Sequence, residues 1–277
     1  ANPVNLILNF TRLDTPSFIQ TALPVWVNED GNGALTGSFS ANVSIGNDTR
    51  TINLPNTFNI KPEWKQNLNV KLTRCGAYTS SGVFQEFMCY NLGADTSADP
   101  FVPSAAIHGA KYQWGYKPSN PLVSDSRYLT QKYDQANRGA VTGWDSNPLP
   151  IDSWSDTSKT ANDPCPDGYR VPTQAQWQAV LDNNNIEMVG TWGGIYPTYG
   201  TAVYFRTPLN VRTLMLPATA QRYYTDGRNG TPGGNSFYWA SSMATTTRAA
   251  ILAVSPQTNR VLKTTPTYGV SVRCVKE

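Results

Sequence analysis

The 277-residue sequence predicts an α+β protein in two parts, an N-terminal antiparallel β-sandwich-like domain over residues 1–74 and a mixed α and β domain with long loops over 75–277. Three observations carry this reading. Apolar and polar residues alternate around paired turn clusters before Arg74. After Arg74, short strand-like patches are separated by long polar stretches. One well-capped helix begins at Thr173.

In the N-terminal part, Leu6, Leu8 and Phe10 share one face of NLILNF, and Leu68, Val70 and Leu72 share one face of NLNVKLTR, with Asn, Lys and Thr opposite. A period of two is the mark of half-buried strands. The clusters Asp30-Gly31-Asn32-Gly33 and Gly46-Asn47-Asp48 interrupt runs of strand-forming residues, so antiparallel hairpins are expected there. Beyond Arg74, KYQWG at 111–115 is strand-like, whereas 95–103 and 116–163 are rich in Pro, Ser, Asp and Gly. Loops of that length inside a compact domain are functional or pinned by cross-links. The helix starts inside ANDPCPDGYRVPTQAQW at 161–177. Pro172 precedes Thr173, and Gln176 completes the T-x-x-Q spacing in which a hydroxyl and an amide satisfy orphaned backbone donors. Trp177, Val180 and Leu181 then share a face, and the helix is expected to end in Asp182-Asn183-Asn184-Asn185. Four C-terminal segments are expected to form a meander: SFYWASS (236–242), RAAILAV (248–254), NRVLKT (259–264) and GVSVRCV (269–275). Ser255-Pro256-Gln257-Thr258 and Pro266-Thr267-Tyr268 are its turns.

Hydrophobic residues make up 39% of the chain, aromatics 11% and charged residues only 15%, so Asn, Thr, Ser and Gln must dress the surface. That is the composition of a secreted or cell-surface β-rich protein. A net charge of +3 without a basic block argues against a nucleic-acid partner. No apolar run approaches the roughly 20 residues of a membrane-spanning helix. ANPVNLILNF lacks the basic start and long apolar core of a signal peptide, so a mature or trimmed form is expected. Cys75, Cys89, Cys165 and Cys274 form no CxxC pair, and with the single His108 they fit no standard zinc spacing. Four cysteines can be joined in three ways, and free buried thiols are the alternative. The economical pairing is Cys75 with Cys89 and Cys165 with Cys274; in the chain-entropy model such loops contribute about 3 and about 5 kcal/mol.

Several segments, in order, resemble the Fibrobacter succinogenes major paralogous domain. They are QEFMCYNLG (85–93), GAKYQWG (109–115), CPDGYRVPTQAQW (165–177), LMLPATAQRYYTDG (214–227), FYWASS (237–242) and YGVSVRC (268–274). That family occurs in Bacteroidetes surface proteins and is similar to the C-type lectin-like and formylglycine-generating-enzyme superfamily. The resemblance covers the chain from Cys75 to its end. It implies a C-type lectin-like domain whose first and last strands meet, with long loops on one side as the ligand-binding surface. The N-terminal part resembles, more weakly, a fimbrillin-type adhesin domain.

Candidate chemistry falls into four groups. His108, in AIHGAKYQWG, is the only histidine, and no G-x-S-x-G elbow supplies a serine beside it, so a structural role is expected. Formylglycine-generating enzymes hold copper with a pair of late cysteines; here only Cys274 is late, and the resemblance implies a structural bridge to Cys165. Asp145, Asp152, Asp156, Asp163 and Asp167 lie in one loop region that could take a structural calcium, but no EF-hand spacing occurs. The Glu-Pro-Asn and Trp-Asn-Asp signatures of calcium-dependent lectins are missing too. Carbohydrate stacking has the strongest physical case, because a sugar needs an aromatic plate beside planar hydrogen-bonding groups. Trp144 and Asp145 with Trp154 and Asp156 supply one such set, and Tyr223, Tyr224, Asp226, Arg228 and Asn229 a second. Trp192, Tyr196 and Tyr199 form a third; core packing beneath the loops is the competing role for all of them.

The expected function is therefore that of a non-enzymatic adhesin or binding module, extracellular, at the outer membrane or on a pilus. Its partner would be a glycan or a host or bacterial surface protein, with no cofactor and no membrane span. The alternatives are an enzyme of the formylglycine-generating type, a hydrolase using carboxylates, or a structural pilus subunit that pairs with its neighbour by β-strand addition.

Overall fold

The segments LTGSFSANVSI and DTRTINLPNTFNI form β1 (Leu35–Ile45) and β2 (Asp48–Ile60). They pair antiparallel, with Ile45 opposite Asp48 at one end and Leu35 opposite Ile60 at the other, and the register shifts between Gly37 and Phe39. The hairpin expected around Gly46-Asn47-Asp48 is thus formed. The computed structural model describes residues 35–45, 48–60, 74–193 and 198–277, so the strands expected at 6–10 and 68–72 and the turn at 30–33 lie outside the described residues. The chain divides into two units, Ala1–Leu72 and Thr73–Glu277.

The larger unit is mostly sheet with few helices, an α+β class. It runs β3 (Gly76–Ser80), β4 (Val83–Glu86), β5 (Lys111–Tyr112), β6 (Tyr128–Leu129), α1 (Gln131–Ala136), β7 (Tyr169–Arg170) and α2 (Gln174–Asn183). There follow β8 (Asn185–Val189), β9 (Ala202–Arg206), β10 (Arg212–Pro217), β11 (Ser236–Thr245), β12 (Arg248–Ser255), β13 (Thr258–Thr264) and β14 (Val275–Lys276). A short 3-10 turn spans Ala105–Ile107. β9 is central between β8 and β10, and β12 between β11 and β13; β3 pairs with β4, β5 with β6, and β7 with β14.

The unbroken apolar run of RAAILAV is explained by its place in the middle of a sheet covered on both faces. Every residue of β12 after Arg248 is buried. Leu252 and Tyr238 pack toward α2 with Trp177, Phe87 and Val275, whereas Ile251 and Trp239 pack on the opposite side with Trp114 and Trp154. All four of these indoles are also tied by their N–H groups to backbone carbonyls: Trp114 to Ala240 at 3.0 Å, Trp177 to Trp239 at 3.0 Å, Trp239 to Tyr112 at 2.7 Å and Trp154 to Asn162 at 2.8 Å. A buried Trp donor that is satisfied in this way holds its ring in one orientation.

The fourth C-terminal segment departs from the expected meander. Gly269 pairs with Arg222, Val270 with Tyr112, and Ser271 runs parallel to Tyr238, while Val275 meets Phe87 and Arg170. The last strand therefore meets the first hairpin of the unit, and the Met88 amide donates to the Cys274 carbonyl at 2.9 Å. An alternating segment declares that it has two faces, but its partners are set by tertiary packing. The buried Arg273 side chain secures this junction by donating to the Asn91 Oδ1 and to the carbonyls of Met88 and Cys89. Two disulfides complete it. Cys75–Cys89 closes the β3–β4 hairpin, and Cys165–Cys274 fastens the last strand to the segment leading into α2.

That segment is held by one carboxylate. Asp163 is buried; its Oδ1 accepts the Cys165 amide at 2.8 Å and the Lys159 ammonium at 2.9 Å, and its Oδ2 accepts the Val171 amide at 2.9 Å. Lys159 also donates to the carbonyls of Cys165 and Tyr169. The expected capping box of α2 is formed in both directions, with Gln176 N–H on the Thr173 hydroxyl at 3.1 Å and the Thr173 N–H on Gln176 Oε1 at 2.9 Å.

Candidate functional site

The second aromatic set is built on a turn whose shape follows from its residues. Arg222 bridges to Asn229, the Tyr223 amide donates to the Arg228 carbonyl at 2.9 Å, and the Arg228 amide donates to the Asp226 carboxylate at 3.0 Å. An Asp that accepts an amide two residues ahead is a standard turn-former. Gly227 takes a φ of +67° here, and a Cβ at this position would fall 2.7 Å from Trp144 Cδ2. Only glycine fits both demands.

Beneath the turn, Arg222 has no exposed surface. Its Nε donates to Asp134 Oδ1 at 2.6 Å, and its other nitrogens reach the carbonyls of Asp134, Asn137 and Gly227. Asp134 sits on α1, which is capped at its start by the Thr130 hydroxyl accepting the Tyr133 amide. A buried ion pair stays only when its geometry is good and its remaining donors are used, and removing one partner costs about 3–5 kcal/mol. Arg222 therefore clamps α1 to the turn. The Val141 amide adds a bond to the Asp226 carbonyl at 2.8 Å.

Above this base the aromatic rings gather. Tyr223 and Tyr224 are each 41% exposed. Their ring centroids lie 6.2 Å and 5.0 Å from that of Tyr268, with the ring planes tilted by 49° and 53°, so three tyrosines form one faceted aromatic cluster. Arg228 places its guanidinium 5.8 Å from the Tyr223 centroid and 3.5 Å from the Asp226 carboxylate. Burial pushes the Tyr268 phenol up, reinforced by Tyr224 and Tyr223 and opposed by Arg248. Tyr268 immediately precedes Gly269, whose backbone is bonded in both directions to Arg222.

The sequence-derived residues thus separate. Trp144 belongs to this site, but as its floor: it is buried against Gly227 and Gly269, and its ring offers no open plate to a ligand. Asp145 next to it accepts Arg127 at 2.5 Å and the Asn147 amide, which hold its carboxyl below the ordinary range with the Asn147 amide as the largest cause. Asn229 donates its backbone N–H to the Arg138 carbonyl and its side-chain Nδ2 to the Asp134 carbonyl, while its Oδ1 is buried without a partner among the described residues. Trp154 and Asp156 lie elsewhere. Trp154 is a core residue, its ring 5.5 Å from Trp114 and its N–H on the Asn162 carbonyl. Asp156 accepts the hydroxyls of Ser241 and Ser242, and Ser242 in turn accepts the Gln174 amide at the start of α2. Both are scaffold in this structure. Of the third set, Trp192 packs against the core and Tyr199 lies against His108, while Tyr196 lies outside the described residues.

Tyr268 and Arg248 were not singled out from the sequence. Tyr268 stands in a segment read only as a turn, and Arg248 opens a strand. The available signal was the aromatic tip of that turn, but nothing local brings it to residue 224.

The remaining candidate chemistry resolves similarly. His108 is buried, its Nε2 has no partner among the described residues, and burial, with a smaller effect from Lys111, pushes its pKa down to about 3. Cys165 and Cys274 are bonded to each other, so neither is a free thiol. Among the described residues no three of His, Cys, Asp and Glu cluster as a metal site, and no helix is long and apolar enough to cross a membrane. The loop aspartates are dispersed: Asp145 serves Arg127, Asp156 the serines and Asp163 the α2 approach. Comparison with protein-family models, curated proteins and solved structures finds no match to this chain.

Proposed function

We propose that the larger unit is a C-type lectin-like binding module of an extracellular, surface- or pilus-associated adhesin, and that it takes up a glycan on the face of Tyr223, Tyr224 and Tyr268. The observation that carries this is the convergence of three tyrosine rings beside Arg228 and Asp226 on a turn fixed from below by a buried Arg–Asp pair. Stacked C–H faces and planar hydrogen-bonding groups are what a sugar ring requires. The junction of first hairpin and last strand, together with the ordered motifs, supports the lectin-like assignment. Two disulfides fit an oxidising compartment.

The test is binding to a panel of immobilised glycans. Tyr223 and Tyr224 are exposed, so truncating them leaves the fold intact, and Tyr223→Ala or Tyr224→Ala should each weaken binding by about tenfold or more. Wild-type protein that binds no glycan, or binding untouched by the double substitution, would overturn the reading.

A further inference from the structure

Resting on that reading, we propose that the tyrosine face selects an anionic sugar ring, a uronate or a sulfated hexose, with Arg228 and Arg248 receiving the anion. Two guanidinium groups stand beside the rings. Arg228 is 62% exposed and reaches over Tyr223 from the turn. Arg248 enters from the start of β12, where it is exposed and donates to the Thr265 hydroxyl at 2.6 Å, three residues from Tyr268. That is the one hydrogen bond of its guanidinium among the described residues, which leaves most of its five donors for a ligand.

The acids nearby do not cancel this charge. Asp134 is consumed by the buried Arg222, and Asp226 is engaged by the Arg228 amide as well as its guanidinium. Asp226 is therefore the one carboxylate of the turn, and its ion pair is with Arg228. A ligand carboxylate or sulfate could replace it as the partner of Arg228 with shorter, better aligned bonds than the present 3.5 Å contact. Guanidinium groups suit this role because their planar fork matches both carboxylate and sulfate oxygens. The tilted rings supply the apolar surface against which the sugar packs, and the cations at its edges distinguish a charged sugar from a neutral one.

The experiment uses the full chain with four probes: an oligogalacturonate, its methyl ester, a sulfated galactan and the same galactan desulfated. Wild type should bind at least one charged form about tenfold or more tighter than its neutral counterpart. That preference should shrink as ionic strength rises toward about 1 M, where the screening length is about 3 Å. Arg228→Gln and Arg248→Gln should each remove most of the preference, weakening charged binding more than neutral binding, and Asp226→Asn should strengthen charged binding more than neutral binding. Comparing uronate with sulfate arms shows which anion is taken. Equal binding of charged and neutral forms, abolished by Tyr224→Ala, would overturn this inference and leave the glycan site standing. A preference that survives both arginine substitutions would overturn it as well. Failure of all four sugars beside Arg228-dependent binding of a poly-glutamate peptide would sink both readings in favour of an acidic protein ligand.

Discussion

His108 has no hydrogen-bond partner at Nε2 among the described residues and lies edge-on to Tyr199 at a centroid distance of 4.9 Å. A charged imidazolium there would lose its water without gaining a counter-ion, and Lys111 nearby adds repulsion. The folded protein therefore keeps His108 neutral down to about pH 3, whereas the unfolded chain protonates it near 6.5. Between those values the unfolded state binds more protons, so stability is complete above 6.5 and falls with acidification, by about 1.4 kcal/mol per pH unit at the steepest. Carboxylates enter only lower, because their unfolded values lie near 4. Denaturation of wild type should show this slope between pH 6 and 5, and His108→Gln should flatten it. The same residue, being the only histidine, should give a proton NMR signal that does not titrate in that window. A titration near 6.5, or an equal slope in the variant, would refute the placement of this side chain.

At the scale of elements, α2 is the one whose start is written locally. Thr173 and Gln176 exchange both capping bonds, and Trp177 and Val180 supply the buried face. Thr173→Ala should cost about 1 kcal/mol in urea unfolding with an unchanged m-value, and a loss near zero would show that the cap is redundant. Such a signal is legible because donor and acceptor are three residues apart. α1 has only half of it: Thr130 caps the Tyr133 amide, but no Glu or Gln stands at Tyr133 to return the bond, six residues are too few to display a helical period, and its buried residue, Asp134, is polar because its partner is Arg222, 88 residues away. The tryptophans make the same point. Trp144 and Trp154 both sit among Asp and Ser, yet one packs under Gly227 and Gly269 and the other beside Trp114. Composition reports an aromatic near polar groups; whether its face is open depends on what distant chain segments lay upon it. The turn at 223–228 was legible as a candidate, but its third ring was not, since Tyr268 arrives through backbone pairing of Gly269 with Arg222.

For the whole molecule, the question is what keeps the C-terminal strand in place, because the site depends on it. Residues 269–275 touch the turn through Arg222, β5 through Tyr112 and the first hairpin through Phe87, so the chain end joins parts far apart in sequence. Cysteine spacing made the pairing economical to guess, and the alternating GVSVRCV announced a strand, but the crossing path between β11 and the first hairpin was set by burial on both sides. The two disulfides differ in the loop each closes, with sequence separations of 14 and 109 residues. If their main action is to restrict the unfolded chain, the longer loop contributes more, about 5 against about 3 kcal/mol. Replacing either pair by alanines removes the same sulfur atoms from sites that are buried except at the half-buried Cys89, so most of the difference reports the loop. Cys165→Ala with Cys274→Ala should therefore lower unfolding free energy by about 1–2 kcal/mol more than Cys75→Ala with Cys89→Ala, read from urea transitions. It should also weaken ligand binding at the tyrosine cluster, because the C-terminal segment that carries Tyr268 loses its far anchor. An equal loss from both pairs would place the effect in native packing rather than in chain entropy. Unchanged binding would show that the pairing of Gly269 with Arg222 alone positions the third ring.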